Sequence, residues 1–96
     1  MKEVSAQELK QMQANGEAFQ LIDVRESYEY QSANLGGELI PLGSILQNAD
    51  KIARDKKVVI HCQSGGRSAS AIGALEQQHG FDNLYNLRGG IMGFSM

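Results

Sequence analysis

Apolar residues in this chain come in short bursts, separated by stretches whose polar spacing signals helices. Residues 19–24, Phe-Gln-Leu-Ile-Asp-Val, read as a strand, and Val58-Val59-Ile60 is an unbroken apolar run of the kind buried on both faces. Leu84-Tyr85-Asn86-Leu87 reads as a last strand and Leu39-Ile40 as a brief one. Ser5 and Glu8 form a capping box, Val4 and Leu9 fit a hydrophobic staple, and Leu9 and Met12 mark the buried stripe of a helix that Gly16 stops. Residues 26–34 are expected to be a short helix ended by Gly36-Gly37. Ser44, with Gln47 as its box partner, is expected to cap a helix that presents Ile45, Leu46, Ala49, Ile52 and Ala53 on one face. Residues 68–79 read as a helix with Ala71, Ile72 and Leu75 toward the core and Gly80 at its end. Gly89-Gly90 opens a final short turn or helix, and the single proline, Pro41, lies between two elements.

Strands alternating with helices predict an α/β fold with a mostly parallel central sheet of about five strands. Right-handed crossovers place helices on both faces of such a sheet, giving a three-layer α/β/α sandwich. Ligands bind outside the carboxyl ends of these strands. The 96 residues suffice for one domain, expected over 1–96, and 42% of them are hydrophobic, enough for a core.

Charge narrows the function. The formal net charge of −2, with acids and bases intermixed, argues against a nucleic-acid binder, which concentrates Lys and Arg on one face. There is no apolar run of membrane-spanning length and no signal-peptide core at the start, so a cytoplasmic protein is expected. One cysteine and two histidines allow neither an internal disulfide nor a multi-cysteine zinc site.

That cysteine, Cys62, follows the Val58–Ile60 strand by two residues and precedes the 68–79 helix. Between them run Gln63, Ser64, Gly65, Gly66, Arg67 and Ser68. Two glycines let the backbone curl so that successive N–H groups point inward as a nest, and the helix start adds its positive end. Arg67 would close the ring. A free thiol ionises near about 8.5, and such surroundings bring it to roughly 3.5–7.5. Cys62 is therefore expected to be an accessible thiolate at neutral pH, a nucleophile beside a site for a small anion. The bland alternative is a small buried hydrophobe, which leaves the glycines and the arginine unexplained.

The segment Cys62-Gln63-Ser64-Gly65-Gly66-Arg67-Ser68 resembles the active-site loop of rhodanese domains, the sulfurtransferases. The resemblance covers nearly the whole chain. Leu21-Ile22-Asp23-Val24-Arg25-Glu26 is similar to the family's upstream signature, followed by the acid-aromatic pair Glu29-Tyr30. Ile40-Pro41-Leu42 and Asn83-Leu84-Tyr85-Asn86-Leu87-Arg88-Gly89-Gly90-Ile91 resemble its later segments. The resemblance implies a rhodanese-like sandwich and sulfur transfer through a Cys62 persulfide. The donor would be thiosulfate or a persulfide. The acceptor would be cyanide, a thiol, or a sulfur-carrier or thioredoxin-like protein. No metal or organic cofactor is implied. Residues 63–68 would bind the donor, with Asp23 and Arg25 supporting the site. Four residues separate Cys62 from Arg67, whereas protein-tyrosine-type phosphatases have five, so a phosphoryl group is harder to seat.

Some positions depart from the family pattern. Gln63 stands where a basic residue often follows the cysteine, which predicts weaker attraction for dianionic thiosulfate. Asn34-Leu35 replaces a common Gly-His-Ile, and Phe94 replaces a frequent tryptophan. Arg25 and Glu29, four apart, are expected to form a simple ion pair. His61 alternates away from Cys62 along the strand and is expected to pack rather than act as its base. Arg88 is expected at the same sheet edge as Cys62, as a solvated side chain or a contact for an anionic donor. A non-catalytic binding module and a redox-sensing thiol protein remain alternatives. Inactive relatives usually lack the cysteine, which this chain keeps.

Overall fold

The Val58–Ile60 run becomes the middle of the sheet because it can be covered on both sides. In the computed structural model, which describes residues 1–94, the order is β1 (Glu3–Val4), α1 (Ala6–Ala14), β2 (Phe19–Asp23), α2 (Ser27–Ser32) and β3 (Glu38–Leu39). Two 3-10 turns follow, Leu42–Ser44 and Leu46–Lys51, then β4 (Lys57–His61), α3 (Gly66–His79), β5 (Leu84–Leu87) and α4 (Gly90–Phe94). Ser95 and Met96, the end of the domain expected over 1–96, lie outside the described residues. Among the described residues no helix is long and apolar enough to cross a membrane.

The five strands form one sheet in the order β1-β5-β4-β2-β3, and every pairing is parallel. The β2–β4 register sets Phe19 against Lys57 and Asp23 against His61. Strand alternation then sorts the side chains. Ile22, Val58, Ile60, Cys62 and Leu84 face α3 and the 3-10 turns, joined by Ala71, Ile72 and Leu75. Val59 and Leu87 face the other way, onto Leu9 and Met12 of α1 and onto Phe94. Leu9, Ile72 and Leu75 are fully buried, and burial of each such side chain contributes about 1.5–3 kcal/mol.

The Ser5–Glu8 capping box forms in both directions, Glu8 N–H to Ser5 Oγ at 3.0 Å and Ser5 N–H to Glu8 Oε1 at 2.8 Å. The box expected at Ser44 and Gln47 does not form, and its helix is replaced by the two 3-10 turns. Ser44 Oγ donates to Pro41 O at 3.2 Å. The Asn48 side-chain amide takes the Ser44 carbonyl at 2.8 Å, the acceptor an α-turn would use for the Asn48 N–H. That N–H bonds Ile45 O instead, at 3.2 Å, tightening the turn. The 26–34 helix also ends early, because Ala33 is extended and Asn34 turns its side chain on Tyr30 O and Gly36 N–H. β1 carries no signal of its own in the sequence; among the described residues its two residues pair with β5, from the far end of the chain.

Candidate active site

β4 ends at His61, and the next residue turns back onto the α3 face. Gly65 takes φ +115°, a conformation that side-chain-bearing residues rarely adopt, and α3 starts immediately after it at Gly66. The helix thus begins two residues before the expected Ser68, which puts Gly66 and Arg67 in its first turn. The tight curl aims the loop amides at the sulfur. Gly65 N–H donates to Cys62 Sγ at 3.1 Å and Ser68 N–H at 3.4 Å, with Ser68 Oγ also 3.4 Å away. Burial pushes the thiol pKa up. The Ser68 hydroxyl and the N–H groups of Ser68, Gly65 and Ser64 outweigh it, so the pKa lies below the ordinary cysteine value.

The expected accessibility of the thiol is corrected. Cys62 is 1% exposed, because the amide nest closes on one side of it and the core cluster under α3 packs the other. Gln63 is exposed.

Two elements brace the loop. From β5, Asn86 Oδ1 accepts from Ser68 Oγ at 2.6 Å, while Asn86 Nδ2 donates to Gly65 O at 3.2 Å. From α4, Ile91 N–H donates to Cys62 O at 3.0 Å and Met92 N–H to Gln63 O at 3.1 Å. Gly90, at φ +60°, passes so close that a Cβ there would lie 2.7 Å from Cys62 O and closer still to Gln63 O. Asn86 was not singled out from the sequence. Its signal was a polar side chain at the same strand parity as core Leu84, and therefore aimed at α3.

The expected Arg25–Glu29 pair is also corrected. Arg25 precedes α2, and its guanidinium turns onto Asp23, with Nη2 2.9 Å from Oδ2 in a buried pair. Arg25 Nη2 also holds Ala33 O at 2.6 Å, at the end of α2. Glu29 takes Arg67 instead, Oε1 to Nη1 at 2.8 Å and Oε2 to Nη2 at 2.9 Å. The Arg67 hydrogen bonds hold the Glu29 pKa down at about 2 and raise that of Arg67. The guanidinium meant to close the ring is therefore already matched by a carboxylate.

His61 lies on the sheet face opposite Cys62, as its parity predicted. It is fully buried, 3.8 Å from Asp23 Oδ2, and its Nε2 finds no hydrogen-bond partner among the described residues. Burial lowers its pKa, more than the Asp23 charge raises it. Arg88 is exposed and pairs with Glu3 at 3.2 Å. Among the described residues no three His, Cys, Asp or Glu side chains gather as a metal site would require. Beside the loop runs a groove of about 470 Å³ lined by Arg25, Tyr28, Glu29, Ser32, Ala33, Gln63, Ile91 and Met92.

Known proteins resemble this chain over most of its length. The profile of the rhodanese-like domain matches residues 5–96. A protein named Sulfurtransferase from Allochromatium vinosum is 34% identical over 96 residues, covering 99% of this chain and 89% of its own length. The uncharacterized protein YqhL of Bacillus subtilis is 42% identical over 72 residues, 74% of this chain, and the match spans 56% of YqhL. The crystal structure of a rhodanese-like domain protein from Staphylococcus aureus superposes with a TM-score of 0.89 at 29% identity, over 98% of this chain and 91% of the other.

Proposed function

Because the chain belongs to the rhodanese-like family, we propose that it is a sulfurtransferase that carries sulfane sulfur as a persulfide on Cys62. The observation that supports this most is the convergence of the Gly65 and Ser68 N–H groups on Cys62 Sγ at 3.1 and 3.4 Å. Such donors stabilise a thiolate before the reaction and a persulfide anion after it, without reorganising.

In the first step the Cys62 thiolate attacks the outer sulfur of thiosulfate or of a persulfide. The Sγ–S bond forms, the donor's S–S bond breaks, and sulfite or a thiolate leaves with the electron pair. In the second step cyanide, a thiolate or a sulfur-carrier or thioredoxin-like protein takes the outer sulfur, and the Cys62 thiolate returns. Covalent catalysis thus divides one transfer into two displacements. Since Cys62 is 1% exposed, the loop must admit the donor sulfur, and the groove beside Gln63 adjoins it. Arg67, tied to Glu29, braces the loop against α2. Asp23 and Arg25 act as support: Asp23 holds the Arg25 guanidinium, which in turn holds Ala33 O at the end of α2. The retained nucleophile in its amide nest favours catalysis over a binding-only role.

Intact-mass measurement after incubation with thiosulfate or glutathione persulfide tests the reading. The expected result is one added sulfur atom, removed by cyanide and absent in Cys62→Ser. Protein that stays unmodified with both donors would defeat it.

A further inference from the structure

Charges around the thiol cancel in pairs. Asp23 and Arg25 hold each other below the surface. Glu29 occupies both terminal nitrogens of Arg67, at 2.8 and 2.9 Å. Its carboxyl titrates at about 2, so the pair stays ionised across the neutral range. Gln63 adds no charge to the loop. What faces Sγ is a set of neutral amides and the Ser68 hydroxyl, enough for one charged sulfur. No uncommitted cation in the loop is left for a second anionic group.

The adjoining groove has the same character. Its two charged lining residues, Arg25 and Glu29, are the ones already paired. Its remaining walls include Tyr28, Ala33, Ile91 and Met92. Tyr28 and Met92 are 72% and 56% exposed, two of three large apolar side chains that stand out in solvent among the described residues. A sulfonate placed here would lose water without gaining a counter-charge, whereas a carbon chain would cover apolar surface.

We propose that the donor is an organic persulfide whose uncharged carbon portion lies in the Tyr28–Met92 groove, and that Glu29 sets this preference by keeping Arg67 out of donor recognition. The proposal rests on the sulfurtransferase reading above and names its substrate class. The Cys62 thiolate attacks the outer sulfur of R–S–SH and the Sγ–S bond forms. The donor S–S bond breaks, R–S⁻ leaves with the electron pair, and the proton stays on the transferred sulfur. The donor is reduced to a thiolate as Cys62 rises to the persulfide level, so no other oxidant or reductant enters.

The test is single-turnover sulfur loading, followed by intact mass, from thiosulfate and from the hydropersulfide of N-acetylcysteine methyl ester. The wild type is expected to load from the persulfide about tenfold faster or more at low ionic strength. Glu29→Gln releases Arg67 and is expected to raise the thiosulfate-to-persulfide ratio about fivefold, a gain that high salt abolishes. Met92→Lys places a cation in the groove from an exposed position and raises the same ratio without touching the Glu29–Arg67 pair. A wild type that prefers thiosulfate, or a ratio unmoved in both variants, overturns the proposal while leaving sulfur transfer standing. Loading from neither donor overturns both.

Discussion

Ser68→Ala probes the feature on which reactivity depends most, the ionisation of a thiol that burial alone would keep neutral. The Ser68 hydroxyl lies 3.4 Å from Cys62 Sγ and is the largest of the influences that lower its pKa. Hydrogen bonds to charged groups contribute about 1.5–3 kcal/mol, and the length of this one places it near the lower figure. Its loss should raise the Cys62 midpoint. The chain has one cysteine, so thiolate ultraviolet absorbance against pH, corrected with Cys62→Ser for tyrosine ionisation, reports this group alone. Stability should follow in a defined direction. A folded-state pKa held below the unfolded value contributes stability that is complete above about 8.5 and lost as pH falls through the folded midpoint. Ser68→Ala shrinks that contribution, so its deficit relative to wild type should be larger in mild alkali than in acid. Ser68 has a single hydroxyl proton, so Asn86 Oδ1, 2.6 Å from Oγ, competes with the sulfur for it, and no separate Asn86 loss is added to the one above. A thiolate midpoint that stays put or falls in folded Ser68→Ala would refute the assignment of ionisation to this hydroxyl.

Other perturbations have equally definite outcomes. Gly90→Ala combines a positive φ with a Cβ 2.7 Å from Cys62 O; urea denaturation should show a loss of about 2–4 kcal/mol, together with reduced sulfur loading. Arg67→Ala leaves the Glu29 carboxylate uncompensated at the loop, so turnover should fall about fivefold or more, with partial recovery in salt and in the Glu29→Gln/Arg67→Ala double variant. The Glu29–Arg67 pair holds the Glu29 pKa down at about 2; its stabilisation is present above the unfolded value of about 4.3 and should disappear as pH falls toward 2, as acid titration of chemical stability will show. Arg25→Met strands a fully buried Asp23 carboxylate, and a loss of about 3–5 kcal/mol is expected in the same denaturation assay.

Much of the architecture was legible because neighbouring residues supplied the signal. The Ser5–Glu8 box, the Val58–Ile60 run and the Gly80 stop each operate within a few residues, and each of these signals holds, although the helix that Gly80 ends starts two residues early. The Ser44–Gln47 box failed for an equally local reason, since Ser44 Oγ turns back onto Pro41 O, while Asn48 takes the carbonyl that an α-turn would use. The spacing of Ile45, Leu46, Ala49 and Ile52 did identify a segment that packs against the α3 face of the sheet, though in 3-10 turns rather than an α-helix. At the site, the cysteine, the glycines and the helix start were visible as one segment of chain. The partners from elsewhere were not: Asn86 arrives from β5, and Ile91 and Met92 from α4.

From its order of residues alone, this chain determined a strand–loop–helix unit with Cys62 at its bend and amides able to converge on sulfur. Backbone geometry at glycine and helix initiation are local matters, so no distant residue was needed to specify them. Charge pairing was decided only by the fold. Arg67 meets Glu29, thirty-eight positions away, and Arg25 turns to Asp23, because a carboxylate takes whichever guanidinium the packed helices bring within reach. Coulomb attraction depends on separation in space, and that separation is set once α2 and α3 have docked at the end of the sheet.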